Sequence, residues 1–202
     1  MSRAIQLRAP GRGAYDRSLS RAERDAQHRE RLLRAAAEVL ARGTLTIARI
    51  VEHAGVGRST FYEFFDSPEH LLEQLEQRVL RALEAALEQA FAESRTPLER
   101  IRAITRAWLF ELEARPIEAG VALRGHPGSE LLSPAGKLLH QVLERSWRAA
   151  RLDGVGWFGA ADEVTSLAAA AAVEVLSRRH VGGKPLRDPQ RTLAEIMTKL
   201  LR

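Results

Sequence analysis

The sequence predicts an all-α protein of about nine helices, in which an N-terminal three-helix domain with a helix-turn-helix precedes a C-terminal helical bundle. Apolar residues recur at helical spacing through long stretches rich in Ala, Leu, Arg and Glu. Glycine and proline fall in clusters between those stretches, where they mark loops. The 202 residues, 45% of them hydrophobic, are enough to bury a core.

Residues 1–22 are predicted to form a basic flexible arm, because Pro10, Gly11 and Gly13 stand among scattered arginines without apolar periodicity. Six arginines and two acids in residues 1–24 contribute +4 of the net charge of +5. Such an arm would attract a polyanion such as DNA. A solvated tail without a partner explains the same composition equally well.

Three helices, the second and third of them short, are expected in the next domain, residues 23–66. The first runs from about Ala22 to Arg42 and is ended by Gly43. The second spans Ile47 to Ala54 behind the N-cap Thr46, and the third runs from Arg58 to Phe64 or Phe65.

Several of the helices in residues 67–202 are predicted from a capping residue followed by proline, as in Ser67-Pro68 and Thr96-Pro97. The helix from Pro68 is long enough to bridge two domains. The expected spans are Pro68 to about Ser94, Pro97 to Pro116, Ile117 to Arg124, Pro134 to about Gly154, Ala160 to His180, and Pro189 to Leu201.

Residues 47–65 carry the pattern of a helix-turn-helix. Apolar residues bury one face of the first helix, Val56 fills the turn, and Phe61 and Phe65, four residues apart, anchor the second helix. With both phenylalanines inward, the polar and aromatic residues between them are left for an outer surface that suits a DNA groove. These outward residues are Arg58, Ser59, Thr60, Tyr62 and Phe64.

The segments Leu33 to Leu40 and Ile50 to Leu72 resemble the TetR family of bacterial transcriptional regulators. The resemblance implies a homodimeric repressor that binds a palindromic operator in double-stranded DNA and is released by a small-molecule effector. It implies that Thr46 binds a phosphate, that Arg58 to Thr60 face base edges, and that Tyr62 touches the DNA backbone. The full set of predicted DNA contacts is Thr46, Arg49, Gly57, Arg58, Ser59, Thr60, Tyr62, Phe64 and Ser67.

The same resemblance implies that residues 67–202 bind the effector, in a cavity between helices. Aromatic and aliphatic side chains at helical spacing are as easily explained by ordinary core packing, and both interpretations stay open. The predicted lining is Trp108, Leu112, Val121, Leu139, His140, Leu143 and Trp147.

The last two helices are predicted to form a hairpin that pairs with a second copy of the chain. Small residues around Ala168 would let another helix approach closely, and the final helix carries an apolar stripe. The predicted interface comprises Val164, Leu167, Ala168, Ala171, Val175, Leu193, Ile196, Met197 and Leu200.

Other classes of protein are disfavoured by what the sequence lacks. There is no cysteine, and the six histidines show no metal-ligand spacing, so we expect no metal, no cofactor and no catalytic activity. No apolar run reaches the length of a membrane span, and we expect a cytoplasmic protein. The main alternative is a helical DNA-architectural or protein-interaction module without a small-molecule effector; a helical enzyme is a remote third.

Overall fold

The computed structural model describes residues 20–124, 131–152 and 163–199. Over those ranges the chain forms nine α-helices and no strand, so the predicted all-α class is confirmed. The helices are α1 (Arg21–Ala41), α2 (Ile47–Ala54), α3 (Arg58–Phe64), α4 (Pro68–Glu93), α5 (Pro97–Ala114), α6 (Pro116–Ala122), α7 (Pro134–Leu152), α8 (Glu163–Val181) and α9 (Pro189–Lys199). None of the described helices is long and apolar enough to cross a membrane.

The chain divides into two compact units, Met1–Glu73 and Gln74–Arg202. The division falls inside α4, whereas the sequence predicts a boundary just before that helix begins. The N-terminal unit therefore contains α1, α2, α3 and the first turns of α4.

Helix α1 starts one residue earlier than expected because a capping box fixes its first turn. The Ser20 hydroxyl accepts from the Glu23 amide at 3.2 Å, and the Glu23 carboxylate accepts from the Ser20 amide at 2.7 Å. Arg21 and Ala22, predicted as the end of the arm, thus belong to the helix. Residues 1–19 of the predicted arm lie outside the described residues.

The N-terminal unit is held together by the apolar faces of helices α1, α2 and α3. Leu32 and Ala36 of α1, Ile50 of α2 and Phe61 of α3 are each 0% exposed. Helix α1 packs against both α2 and α3. This small core fixes the orientation of α3 within the unit.

Helix α5 is the central helix of the C-terminal unit and packs against α6, α7, α8 and α9. Its Trp108 is fully buried, and the indole Nε1 donates to the Ser177 hydroxyl of α8 at 2.8 Å. The Thr96 capping box and Pro97 start α5, as the sequence predicts. A residue on α5 can therefore affect nearly every other helix of this unit.

Candidate nucleic-acid interface

The turn between α2 and α3 depends on a glycine in a left-handed conformation. Gly55 has φ 62° and ψ 40°, a region that residues with a Cβ rarely adopt. Its amide donates to the Glu52 carbonyl at 3.2 Å, and the Val56 amide donates to the Val51 carbonyl at 3.0 Å. The last carbonyls of α2 are thereby satisfied within the tight turn.

An arginine from α1 hydrogen-bonds the backbone of the same turn. The Arg31 guanidinium Nη2 donates to the Ala54 carbonyl at 2.5 Å and to the Gly55 carbonyl at 3.2 Å. A cation at this position also interacts favourably with the C-terminal end of the α2 dipole. Sequence reasoning missed this contact, because no local pattern signals a hydrogen bond between residues more than twenty positions apart.

Helix α3 turns two phenylalanines inward and exposes a polar face. Phe61 and Phe65 are 0% and 1% exposed, with their ring centroids 5.8 Å apart. Arg58 and Ser59 are exposed, and Tyr62 is 57% exposed. An exposed tyrosine next to an arginine and a serine suits contacts to phosphates and base edges.

Two residues expected on the outer face of α3 are less accessible than predicted. Thr60 and Phe64 are both half-buried. The expectation that Phe64 stands on the outer surface is therefore wrong in part. A seven-residue helix that buries Phe61 on one side also partly covers the residues at the edges of that side.

The remaining predicted contacts lie at the starts of helices. The Thr46 hydroxyl accepts from the Arg49 amide at 3.4 Å, and the Ser67 hydroxyl accepts from the His70 amide at 3.2 Å. The Thr46 hydroxyl keeps its own hydrogen to donate, whereas the Ser67 hydroxyl hydrogen-bonds the Glu69 carboxylate, whose pKa is lowered by its own backbone amide and by this hydroxyl. Gly57 stands at the start of α3 without a side-chain cap, and the Arg49 guanidinium donates to the Thr44 carbonyl at 2.9 Å.

A histidine fixes α2 against α1. His53 Nε2 lies 2.7 Å from the Glu38 carboxylate, joining the last turn of α2 to α1. Together with Arg31, this contact gives the C-terminal end of α2 two polar links to α1. The geometry of the turn is therefore set by α1 as well as by its own sequence.

Two short helices joined by a tight glycine turn, the second exposing arginine, serine and tyrosine, define a helix-turn-helix DNA-binding protein. The family model described as bacterial regulatory proteins of the tetR family matches residues 32–75, the segment that holds this motif. In this segment the chain resembles the TetR family of transcriptional regulators.

Solved structures with the same fold cover most of the chain. The fatty acid degradation regulator FadR of Bacillus halodurans is 17% identical, over 87% of this chain and 97% of that one, with a TM-score of 0.65. The TetR-family regulator PfmR of Thermus thermophilus is 22% identical over 85% and 97%, with a TM-score of 0.63. RolR in complex with resorcinol is 22% identical over 90% of each chain, with a TM-score of 0.54. No curated protein matches the chain in sequence.

Most of the predicted effector lining is solid core in the C-terminal unit. Trp108, Leu112, Leu139 and Leu143 are 0% exposed and pack in one apolar cluster, and Val121 is 8% exposed. The expectation that these side chains line a cavity is wrong for the conformation described. Their helical spacing reflects core packing, the alternative that the sequence left open.

Two residues of the predicted effector lining, Trp147 and His140, carry polar groups that distinguish them from the aliphatic residues of that lining. The indole Nε1 of Trp147 is buried and has no hydrogen-bond partner among the described residues, and the residue is 3% exposed. His140 is half-buried, with Nε2 2.9 Å from the Ser166 hydroxyl. An apolar core can pack without a polar indole N–H or an imidazole, so neither group is explained by core packing alone.

The predicted dimer residues divide into outward and inward groups. Val175 is 62% exposed and Ala168 is exposed; Ala171 and Ile196 are half-buried. Leu167, also half-buried, packs against the core cluster. The assignment of Leu193 and Met197 to an intersubunit surface is wrong, because both are 0% exposed inside the single chain. Val164 and Leu200 lie outside the residues whose side chains the structure describes.

A buried carboxylate in the C-terminal unit was not predicted. Glu174 of α8 is 3% exposed, and its Oε2 accepts from the Ser133 amide at 3.0 Å, at the start of α7. Its Oε1 accepts from Arg178 at 2.5 Å. Gly136 leaves room for the carboxylate, since a Cβ there would lie 1.8 Å from Oε2. No sequence pattern marks this long-range contact.

Proposed function

We propose that this regulator is a repressor that binds a palindromic operator as a homodimer and is released by a small-molecule effector. The observation that carries the proposal is the exposed face of α3, where Arg58, Ser59 and Tyr62 stand outward while Phe61 and Phe65 hold the helix to its unit. Arginine reads guanine through two hydrogen bonds, and tyrosine suits backbone contacts.

The proposed dimer surface is the outward face of α8. Ala168, Ala171 and Val175 lie on one face of this helix, and small residues there allow another helix to approach. Val175, which is 62% exposed, adds an apolar side chain to this face. A symmetric dimer presents two recognition helices to two half-sites, which is the reason for expecting a palindrome.

The proposed effector site in the bundle is supported by its unpartnered polar group. The buried indole N–H of Trp147 is a donor that a ligand can satisfy. RolR, which has a similar fold, was solved with resorcinol, a small polar aromatic molecule. Because the surrounding side chains already fill the core, the bundle must open to admit a ligand there. Release then requires that the opened form bind DNA less well.

The experiment that tests the proposal is selection of binding sequences from a random pool of duplex DNA by the purified full chain. We expect an enriched sequence with two inverted half-sites. Enrichment of a single half-site would contradict the dimer, and no enrichment at all would favour a DNA-architectural role. A small molecule that lowers affinity for the enriched duplex in a compound screen would identify the effector. A DNA-architectural protein without an effector would keep the same affinity in the presence of every compound.

A further inference from the structure

A surface groove runs between α5 and α9 in the C-terminal unit. Its volume is about 830 Å³, which lies within the range of small-molecule sites. Both of its walls belong to the same compact unit, and it contains neither Trp147 nor the apolar side chains predicted to line the effector cavity. The groove is therefore a feature that the proposed function does not use.

The charges that line the groove are strongly unbalanced. Arg102 and Arg106 stand one turn apart on α5, and Arg191 and Lys199 come from α9. Among the lining residues described, Glu195 is the acidic one, so four cations against one carboxylate leave +3. Unlike the arginines scattered over the surface, these cations converge on one concave space.

Two carboxylates close in sequence to these cations, Glu195 and Glu99, are already engaged in hydrogen bonds. Glu195 accepts from Arg191 Nε at 2.8 Å, a hydrogen bond that lowers the pKa of the glutamate. Glu99, the residue three before Arg102, accepts from the Thr96 amide at 3.1 Å in the capping box of α5. Within the described part of the chain, Arg102 and Arg106 form no ion pair. Like charges one turn apart repel each other and destabilise a helix unless an anion neutralises them.

The floor of the groove supplies apolar contact beside the charge. Leu98 is 38% exposed at the start of α5, and Ala194 faces it from α9. The aliphatic stems of Arg102 and Arg106 extend this surface, because arginine covers apolar groups while its guanidinium stays in water. The groove thus offers an apolar floor bordered by donors that carry positive charge.

We propose that this groove binds an organic anion with an apolar body, such as a carboxylate on an aromatic or aliphatic group. Guanidinium groups hold a carboxylate through paired, charge-assisted hydrogen bonds, and the floor receives the hydrocarbon part. The ligand contacts both α5 and α9, and α9 also packs on α8, the helix of the proposed dimer surface. The site does not depend on DNA binding.

Isothermal titration of the full chain with three probes of one shape tests the ligand class. Phenylbutyrate, phenylbutanol and phenylbutylamine share an apolar body and carry a negative, zero and positive charge. We expect phenylbutyrate to bind about tenfold more tightly than phenylbutanol at low salt, and phenylbutylamine to bind least. Similar affinities for all three, or equally tight binding of inorganic phosphate, would overturn the proposal.

Substitutions of the cations that line the groove test whether the ligand binds there. The double variant Arg102→Gln, Arg106→Gln should lose about tenfold in affinity for phenylbutyrate, and Lys199→Gln should weaken it from the opposite wall. The matched control Arg34→Gln, Arg81→Gln removes the same charge from two exposed arginines outside the groove. Equal losses in both double variants would show a nonspecific charge effect and overturn the site. The titration contains no DNA. Failure to find an operator would therefore contradict the proposed function without changing the measured affinity for phenylbutyrate.

Discussion

At the scale of single residues, the recognition surface on α3 depends on residues of the N-terminal unit itself. Gly55 makes the turn before α3, and Arg31 holds the carbonyls of that turn from α1. A Cβ at Gly55 would lie 3.1 Å from Arg31 Nη2, so the two residues fit each other closely. The orientation of α3 follows from this fit.

We expect Arg31→Ala to lower stability by about 1 kcal/mol, since two hydrogen bonds to the end of α2 are lost. Operator affinity should fall as well, because the turn that positions α3 is loosened. Arg34→Ala, at an exposed position on the same helix, serves as the control. The measurement is chemical denaturation beside fluorescence anisotropy on the selected duplex. Equal behaviour of the two variants would show that Arg31 does not position the turn.

At the scale of the helices, capping decides where each element begins and gives part of the stability a dependence on pH. The Glu99 carboxylate accepts from the Thr96 and Arg95 amides, and these hydrogen bonds lower its pKa below the ordinary 4.5. A lowered folded pKa means that this contribution is present above the ordinary value and is lost as pH falls through the folded value.

We expect Glu99→Gln to flatten the dependence of unfolding free energy on pH between about pH 5 and pH 3. Glutamine can still cap the helix but does not titrate, so the helix itself should persist. All three tryptophans of the chain lie in the C-terminal unit, and their fluorescence therefore follows unfolding of that unit. An unchanged slope in this pH range would contradict the assigned role.

The contact between α7 and α8 requires that position 136 carry no side chain. Gly136→Ala should destabilise the protein by about 1–3 kcal/mol, because the new Cβ would displace the buried Glu174 carboxylate. The matched control is Gly120→Ala on α6, where a Cβ would meet nothing within 4 Å and should be neutral or stabilising. Equal stabilities of the two variants in urea would refute the close fit.

At the scale of the whole molecule, the sequence predicts the helices well and their partners poorly. The spans of α2 and α3 follow from periodicity and from Gly55 and Gly57, which are local signals. The stripe of Leu193 and Met197 has the same periodicity whether it faces its own core or a second subunit. Arg31 and Glu174 act across long sequence separations, which local patterns do not encode. The exposure of Phe64 depends on packing and could not be read from spacing alone.

A substitution at an exposed position tests the proposed dimer without disrupting the core of the single chain. Val175→Glu should yield monomers, since burying an unpaired charge at an interface costs several kcal/mol. In the monomer the new carboxylate lies one turn before Arg179 and can pair with it. Phe110→Glu, at a position 67% exposed on α5, is the control. If sedimentation shows monomers for Phe110→Glu and dimers for Val175→Glu, the interface lies on α5 instead.

The central claim is that the exposed face of α3 reads the operator, and the most direct test is the affinity of Arg58→Ala and Tyr62→Ala for the selected duplex. Each variant should lose about tenfold to a hundredfold in specific affinity while keeping its circular dichroism spectrum, because neither side chain is buried. Arg81→Ala on α4 should bind as the unmodified chain does. Full specific affinity in folded Arg58→Ala and Tyr62→Ala would place the recognition surface elsewhere on the protein.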